Sequence, residues 1–207
     1  MKIAIFGATG RTGIELVKQG LEKGYAVTAF VRDPARLPVE DKKLTIVTGD
    51  VLDPASVDPA VQGQDAVIIA LGGGADLKKT AVRAIGTINI ISGMVKHKVN
   101  RLLAVTVMGA GESWDTLSRM NKIFFATVLK SARDDHEAQE SAIKESGLDW
   151  TIVRPSGLQD GPRTGVYDHG EMIRAKNSTI NRADVADLIF KELEQNQLIG
   201  KSVTITN

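Results

Sequence analysis

Short apolar runs punctuate the chain, and within them apolar and polar positions do not alternate. They are Ile3–Phe6, Val27–Val31, Leu44–Val47, Ala66–Leu71, Leu102–Val107 and Trp150–Val153, rich in β-branched residues. Such runs predict strands buried on both faces, as in a parallel sheet. Between most of them the apolar spacing changes to that of a helix. Ile14, Val17 and Leu21 are spaced by three and four residues, with Glu15, Lys18, Glu22 and Lys23 elsewhere on the wheel. Lys79–Lys98 reads as a second amphipathic helix with Val82, Ile85, Ile88, Ile91 and Val95 inside. A third fills much of Asn121–Ser146, with Gly147 as its stop. A fourth runs from Arg182 to Gln195, with Asn181 as N-cap and Asp184 three residues on. Ser202–Thr206 reads as a last strand. The alternation predicts an α/β fold, a Rossmann-like doubly wound parallel sheet. Residues 1–207 form a single domain in this reading. Only the stretch 155–180, rich in glycine and charge, breaks the rhythm; it is either a small substrate-side excursion or a loop.

Composition narrows the function classes. The 207 residues hold 26 Lys plus Arg against 25 Asp plus Glu, a formal charge of +1. That balance argues against nucleic acid or an anionic membrane as partner. Cysteine is absent, which excludes a disulfide scaffold, a thiolate metal site and a cysteine nucleophile. Five Phe, two Trp and two Tyr are too few to favour an aromatic-lined nucleic-acid groove. No run approaches the ~18 apolar residues of a membrane span. The N-terminus lacks the pattern of a signal peptide, so the expected compartment is the cytoplasm.

The most informative motif follows the first strand: Gly7-Ala8-Thr9-Gly10-Arg11-Thr12-Gly13. A G-x-x-G-x-x-G between a buried strand and an amphipathic helix is the context of a dinucleotide fingerprint. Gly7 permits the tight turn, Gly10 the approach of a pyrophosphate, and Gly13 close packing of helix on strand. After the second strand come Arg32-Asp33-Pro34-Ala35-Arg36. Two guanidiniums there suit the 2′-phosphate of NADP. Asp33 is ambiguous, serving a ribose hydroxyl or pairing with either arginine. Gly49-Asp50-Val51 ends the third strand, where Asp50 fits an adenine amino group. Leu71-Gly72-Gly73-Gly74 ends the fourth, where bare backbone admits a ribose or nicotinamide, or simply turns.

With these residues in view, the chain resembles the atypical short-chain dehydrogenases/reductases over essentially its whole length. The markers are Gly7–Gly13, Val31-Arg32-Asp33, Gly49-Asp50-Val51, Gly63-Gln64-Asp65-Ala66-Val67, Ser146-Gly147-Leu148 and Val153-Arg154-Pro155. Asp134-Asp135-His136 and Thr164-Gly165-Val166-Tyr167 are most similar to the NADPH flavin reductase, or biliverdin reductase B, branch. The resemblance implies a monomer with an open, shallow site. It implies NADPH-dependent reduction of a small planar acceptor, a flavin such as FMN or riboflavin, or a biliverdin-type tetrapyrrole. By position, Gly7, Thr9, Gly10, Arg11, Thr12, Arg32, Arg36, Asp50, Val51, Leu71 and Gly72 would hold NADP(H). Thr106, Pro155 and Ser156 would flank the nicotinamide. Three departures lie at the substrate mouth. Thr106-Val107 replaces the usual Thr-Ser, Ser156 stands where animal biliverdin reductases have His, and Met108–Ser113 is longer and glycine-rich.

The Tyr-x-x-x-Lys of many relatives is missing, since Ala29 and Glu171 follow Tyr25 and Tyr167 by four. A conjugated acceptor needs that dyad less, because the cofactor brings the hydride and a proton can come from solvent. Ser156 and His136 remain as candidate proton donors, the latter otherwise a surface helical histidine. His97, between Lys96 and Lys98, is explained by its helix end. His136, Glu137 and Glu140 resemble half a metal site, but no second histidine follows at the zincin spacing, so no metal is expected. Trp114 and Met108 either cover a planar ligand or plug the core. Two other functions fit the same motifs: a non-catalytic NADP(H)-sensing NmrA-like regulator, and an NADPH:quinone reductase.

Overall fold

The computed structural model describes residues 1–72, 81–127, 130–175 and 179–207. Ten strands and six helices follow in order along these residues. They are β1 (Lys2–Phe6), α1 (Arg11–Glu22), β2 (Ala26–Val31), β3 (Leu44–Thr48), α2 (Pro54–Val61), β4 (Ala66–Ile69), α3 (Val82–His97) and β5 (Arg101–Val105). Then come α4 (Arg119–Thr127), α5 (Lys130–Lys144), β6 (Asp149–Pro155), β7 (Gly157–Gln159), β8 (Asp168–Gly170), β9 (Thr179–Asn181), α6 (Arg182–Gln195) and β10 (Lys201–Thr206). Gly73, Gly74 and Lys79 lie outside the described residues, as do 128–129 of the third expected helix and 176–178 of the excursion.

The main sheet has the order β3-β2-β1-β4-β5-β6-β10-β8. Every pairing is parallel except β10 with β8. Because side chains alternate between faces, each strand feeds two cores. Ile3 and Ile5 of β1 pack with Leu16, Val17 and Phe190 under α1 and α6. Ala4 and Phe6 pack with Val57, Ile90 and Met94 under α2 and α3. That double burial explains the unbroken apolar runs. The strand order reverses between β1 and β4, so a crevice opens beyond their carboxyl ends, where such sheets take their ligands.

Several expectations need correction. In α3, Ile85, Ile88 and Val95 are exposed, and the buried face is Ala84, Gly86, Thr87, Ile90, Gly93 and Met94. The small residues decide this. A Cβ on Gly86 would come within 2.8 Å of Val51 Cγ2, so only a bare backbone lets α3 sit so close. Of the third expected helix, Arg119–Thr127 and Lys130–Lys144 are helical. β3 is an edge strand with Thr45, Ile46 and Thr48 exposed. α2, with Asp53 as its cap, was not read from the pattern at all. Asn181 precedes α6 but makes no side-chain cap; its Nδ2 donates to the Pro162 carbonyl at 3.0 Å. The 155–180 stretch holds three short strands, with β7 pairing β9 in a separate two-stranded sheet.

Candidate functional site

The loop between β1 and α1 owes its shape to two glycines. Gly7 has φ +85°, and a Cβ on it would overlap the Ala70 carbonyl. A Cβ on Gly13 would overlap the Gly7 carbonyl. Gly10 is different: a Cβ there would meet only Gly7 O, at 3.2 Å, with open space beyond. Gly10 is the N-cap of α1, and no side chain caps the helix. The first N–H groups of α1 are therefore left for an external acceptor, at the positive end of the helix dipole.

Gly7, Thr9 and Gly10 form one wall of a groove over the strand ends. Arg32, Arg36, Asp50, Val51, Leu71 and Gly72 line the same groove. Nine of the eleven residues expected to hold the cofactor thus share one groove. Phe30, Leu52 and Val82 also line it and were not singled out from sequence; as ordinary apolar positions they carry no signal. Asp33 caps the short 3₁₀ turn Pro34–Arg36, accepting from Ala35 N–H at 3.1 Å. Arg32 and Arg36 make no ion pair with any described residue, so the ambiguity about Asp33 resolves as a cap. One oxygen of Asp50 accepts from Leu52 N–H at 2.9 Å.

The remaining expected residues lie outside that groove. Arg11 turns onto Asp160, Nη1 to Oδ2 at 3.0 Å, and Thr12 is half-buried beside it on α1. Thr106, Pro155 and Ser156 sit at the carboxyl ends of the paired strands β5 and β6. Thr106 Oγ1 donates to Glu140 Oε1 at 2.8 Å. Ser156 N–H donates to the Ile205 carbonyl, while its hydroxyl is buried without a protein partner.

Behind these strand ends is a charge network that sequence reading missed. Arg154, 1% exposed at its side chain, donates Nε to Glu140 Oε1 at 3.0 Å and Nη2 to Glu140 Oε2 and Glu112 Oε2. Lys144 adds a bond to Glu112 at 2.7 Å. Gly111, at φ +51°, passes over the pair, where a Cβ would come within 2.5 Å of Arg154 Nη2. The loop after β5 is therefore docked on a buried ion pair. The Lys144 ammonium, then the Arg154 guanidinium, hold the Glu112 carboxyl down at about 2.

Residues 7–196 match a known family described as NAD(P)H-binding. The chain belongs to the NAD(P)H-binding family. It is 32% identical to an uncharacterised chloroplastic protein of Arabidopsis thaliana, At2g34460, over 99% of this chain and 76% of that one. Its fold matches the oxidoreductase ylbE of Lactococcus lactis with TM-score 0.84 and 26% identity, over 100% and 91% of the two chains. It also matches ChuY of Escherichia coli O157:H7, described as an anaerobillin reductase, with TM-score 0.83 and 25% identity, over 100% and 97%. The fold and binding class are those of an NAD(P)H-dependent oxidoreductase.

In this NAD(P)H-binding domain His136 is poorly placed to donate a proton. His136 is buried, not on the surface. Burial, helped by the charge of Arg83, pushes it down to about 4. Its Nδ1 lies 3.1 Å from Gln139 Oε1, and the Gln139 amide nitrogen donates to Thr87, so Gln139 ties α5 to α3 with His136 against it. It is neutral near pH 7 and not a general acid. Tyr167 has Lys191 Nζ at 3.1 Å, which looks like an activating pair. Burial and the bond to Asp187 instead push its hydroxyl up to about 12. Burial and Glu194 do the same to Tyr25. Glu137 pairs with Arg133 and Glu140 with Arg154, so the half metal site does not assemble. Met108 is in the core, and Trp114 carries the Arg133 guanidinium 3.9 Å over its ring. Among the described residues no helix is long and apolar enough to cross a membrane.

Proposed function

We propose that the protein is an NADPH-dependent reductase that passes hydride to a flavin such as FMN or riboflavin, or to a biliverdin-type tetrapyrrole. The observation that carries the cofactor half is the pair of unpartnered guanidiniums, Arg32 and Arg36, at the groove edge. A 2′-phosphate supplies the anion they lack, through charge-assisted forks. Gly7, Thr9 and Gly10, with the first amides of α1, take the pyrophosphate. Asp50 and Val51 take adenine, Leu71 and Gly72 the ribose, and Thr106, Pro155 and Ser156 the nicotinamide. The unpartnered Ser156 hydroxyl then finds a hydrogen-bond partner in the ligand.

The acceptor half rests on what the site lacks. Both tyrosines are held protonated and His136 is held neutral, so none of these three is poised to give a proton near pH 7. Conjugated acceptors tolerate that, because NADPH supplies the hydride and water supplies the proton. The chain's own task is to hold the acceptor within about 3–3.5 Å of the nicotinamide. ChuY, described as an anaerobillin reductase, supports a bilin among the acceptors. The same reading has the protein act as a cytoplasmic monomer, with neither nucleic acid nor membrane as partner.

The experiment is NADPH oxidation with FMN, biliverdin and a quinone, beside a control without acceptor. Oxidation that depends on FMN or biliverdin supports the proposal. Oxidation with the quinone alone replaces the acceptor class. Tight NADPH binding without turnover on any acceptor would make the protein a sensor.

A further inference from the structure

Arg11 is the first residue of α1 and borders the phosphate loop, yet its guanidinium does not line the groove. It is held by Asp160, which follows β7 in the 155–180 stretch. Asp160 also accepts from Arg182 Nη1 at 2.6 Å, through its other oxygen. The two pairings differ in setting. Arg11 and Asp160 are 69% and 64% exposed at their side chains, whereas Arg182 is 9% exposed. An ion pair so exposed is weak and screened by salt. The pairing with Arg182 is anchored from the buried side and persists without Arg11.

We propose that Asp160 is a positioning residue that parks Arg11 off the groove, and that a dinucleotide pyrophosphate takes Arg11 from it, so that cofactor binding loosens the turn around Asp160 from the start of α1. The exchange orphans no charge: Arg11 passes from one anion to another, and Asp160 keeps Arg182. The doubly charged pyrophosphate, seated on the uncapped amides of α1, outcompetes a single solvated carboxylate. The stretch is not set free altogether. Asp184, buried at the start of α6, still accepts from Thr164 N–H at 2.7 Å and Gly165 N–H at 2.9 Å. β7 stays paired with β9, and Arg163 still reaches Gln19 and Glu22 of α1, each at 3.5 Å, so the movement is confined to the turn around Asp160. If that stretch forms the acceptor side, cofactor binds first and acceptor second. The inference rests on the pyrophosphate reading of the Gly7–Gly13 loop and needs no turnover.

The test is the NADPH dissociation constant by calorimetry for wild type, Asp160→Asn, Arg11→Gln and the double variant, with amide hydrogen exchange over 157–163. Asparagine can still accept from Arg182, so the local fold has its anchor. Asp160→Asn is expected to tighten NADPH at low salt by roughly two- to fivefold, the range of an exposed pair. In the Arg11→Gln background the same change should do nothing. NADPH should speed exchange over 157–163 in wild type and not in Asp160→Asn. Weaker or unchanged NADPH binding by Asp160→Asn, or an effect that survives Arg11→Gln, overturns the proposal. Wild type that binds no NADPH at all would instead overturn the pyrophosphate reading itself.

Discussion

Arg32 and Arg36 stand at the end of β2 with no described carboxylate to neutralise them, and the choice between NADPH and NADH turns on that. Replacing both with alanine should weaken NADPH by at least about 100-fold, since each charge-assisted bond contributes about 1.5–3 kcal/mol. NADH should change little, and calorimetry with both cofactors checks it; equal losses would contradict the 2′-phosphate assignment. Gly10→Val should abolish binding of either cofactor, because its side chain would fill the open space over the loop. These residues were legible in the sequence because a glycine spacing or an arginine pair carries its chemistry wherever the chain folds. His136 was not. Nothing in Asp135-His136-Glu137 announces that α5 turns this imidazole inward against α3. Its folded value of about 4 lies below the ordinary value of about 6.5, so the unfolded state binds more protons between the two. Stability is thus full above about pH 6.5 and falls as pH drops towards 4, by on the order of 3 kcal/mol in total. Urea unfolding across that range should show the loss, and His136→Gln should flatten it. A slope unchanged by the substitution would mean that other groups carry the acid sensitivity.

At the scale of elements, the strands were readable and the helix faces less so. Ile3–Phe6 and Ala66–Ile69 are buried on both sides, and a continuous apolar run reports that directly. In α3 two stripes compete, one of large apolar residues and one of small ones. Apolarity alone picks the first, while close packing on Val51, Val57 and Val61 picks the second. The Glu140–Arg154 pair was also hidden, because each residue alone reads as an ordinary surface charge. Glu140→Ala would leave a buried guanidinium short of a partner, with Glu112 as its remaining anion, and should cost about 3–5 kcal/mol in chemical denaturation. Glu140→Leu combined with Arg154→Met should recover most of that loss. If the single change proved as mild as a surface substitution, the network would not be what docks the loop after β5.

The whole molecule places its groove where the strand order reverses, between β1 and β4, and this was implicit in the strand–helix rhythm. What the rhythm did not contain is the far edge. β8 is three residues, Asp168–Gly170, too short and polar to stand out, and it joins the sheet only through antiparallel pairing with β10. β7 and β9 are as short and pair with each other across twenty residues of chain, a contact no local pattern encodes. The groove residues Gly7, Gly10, Arg32, Arg36 and Asp50 were therefore legible as motif, while the far edge depends on tertiary contacts. In the proposed function this domain hands hydride from NADPH to a planar conjugated acceptor. The decisive measurement is a single turnover, with protein preloaded with NADPH and mixed anaerobically with FMN or with biliverdin. Acceptor reduction should keep step with NADPH oxidation, slow when the transferred hydrogen of NADPH is deuterium, and be lost in Gly10→Val. NADPH that stays bound and unoxidised beside every acceptor would contradict it.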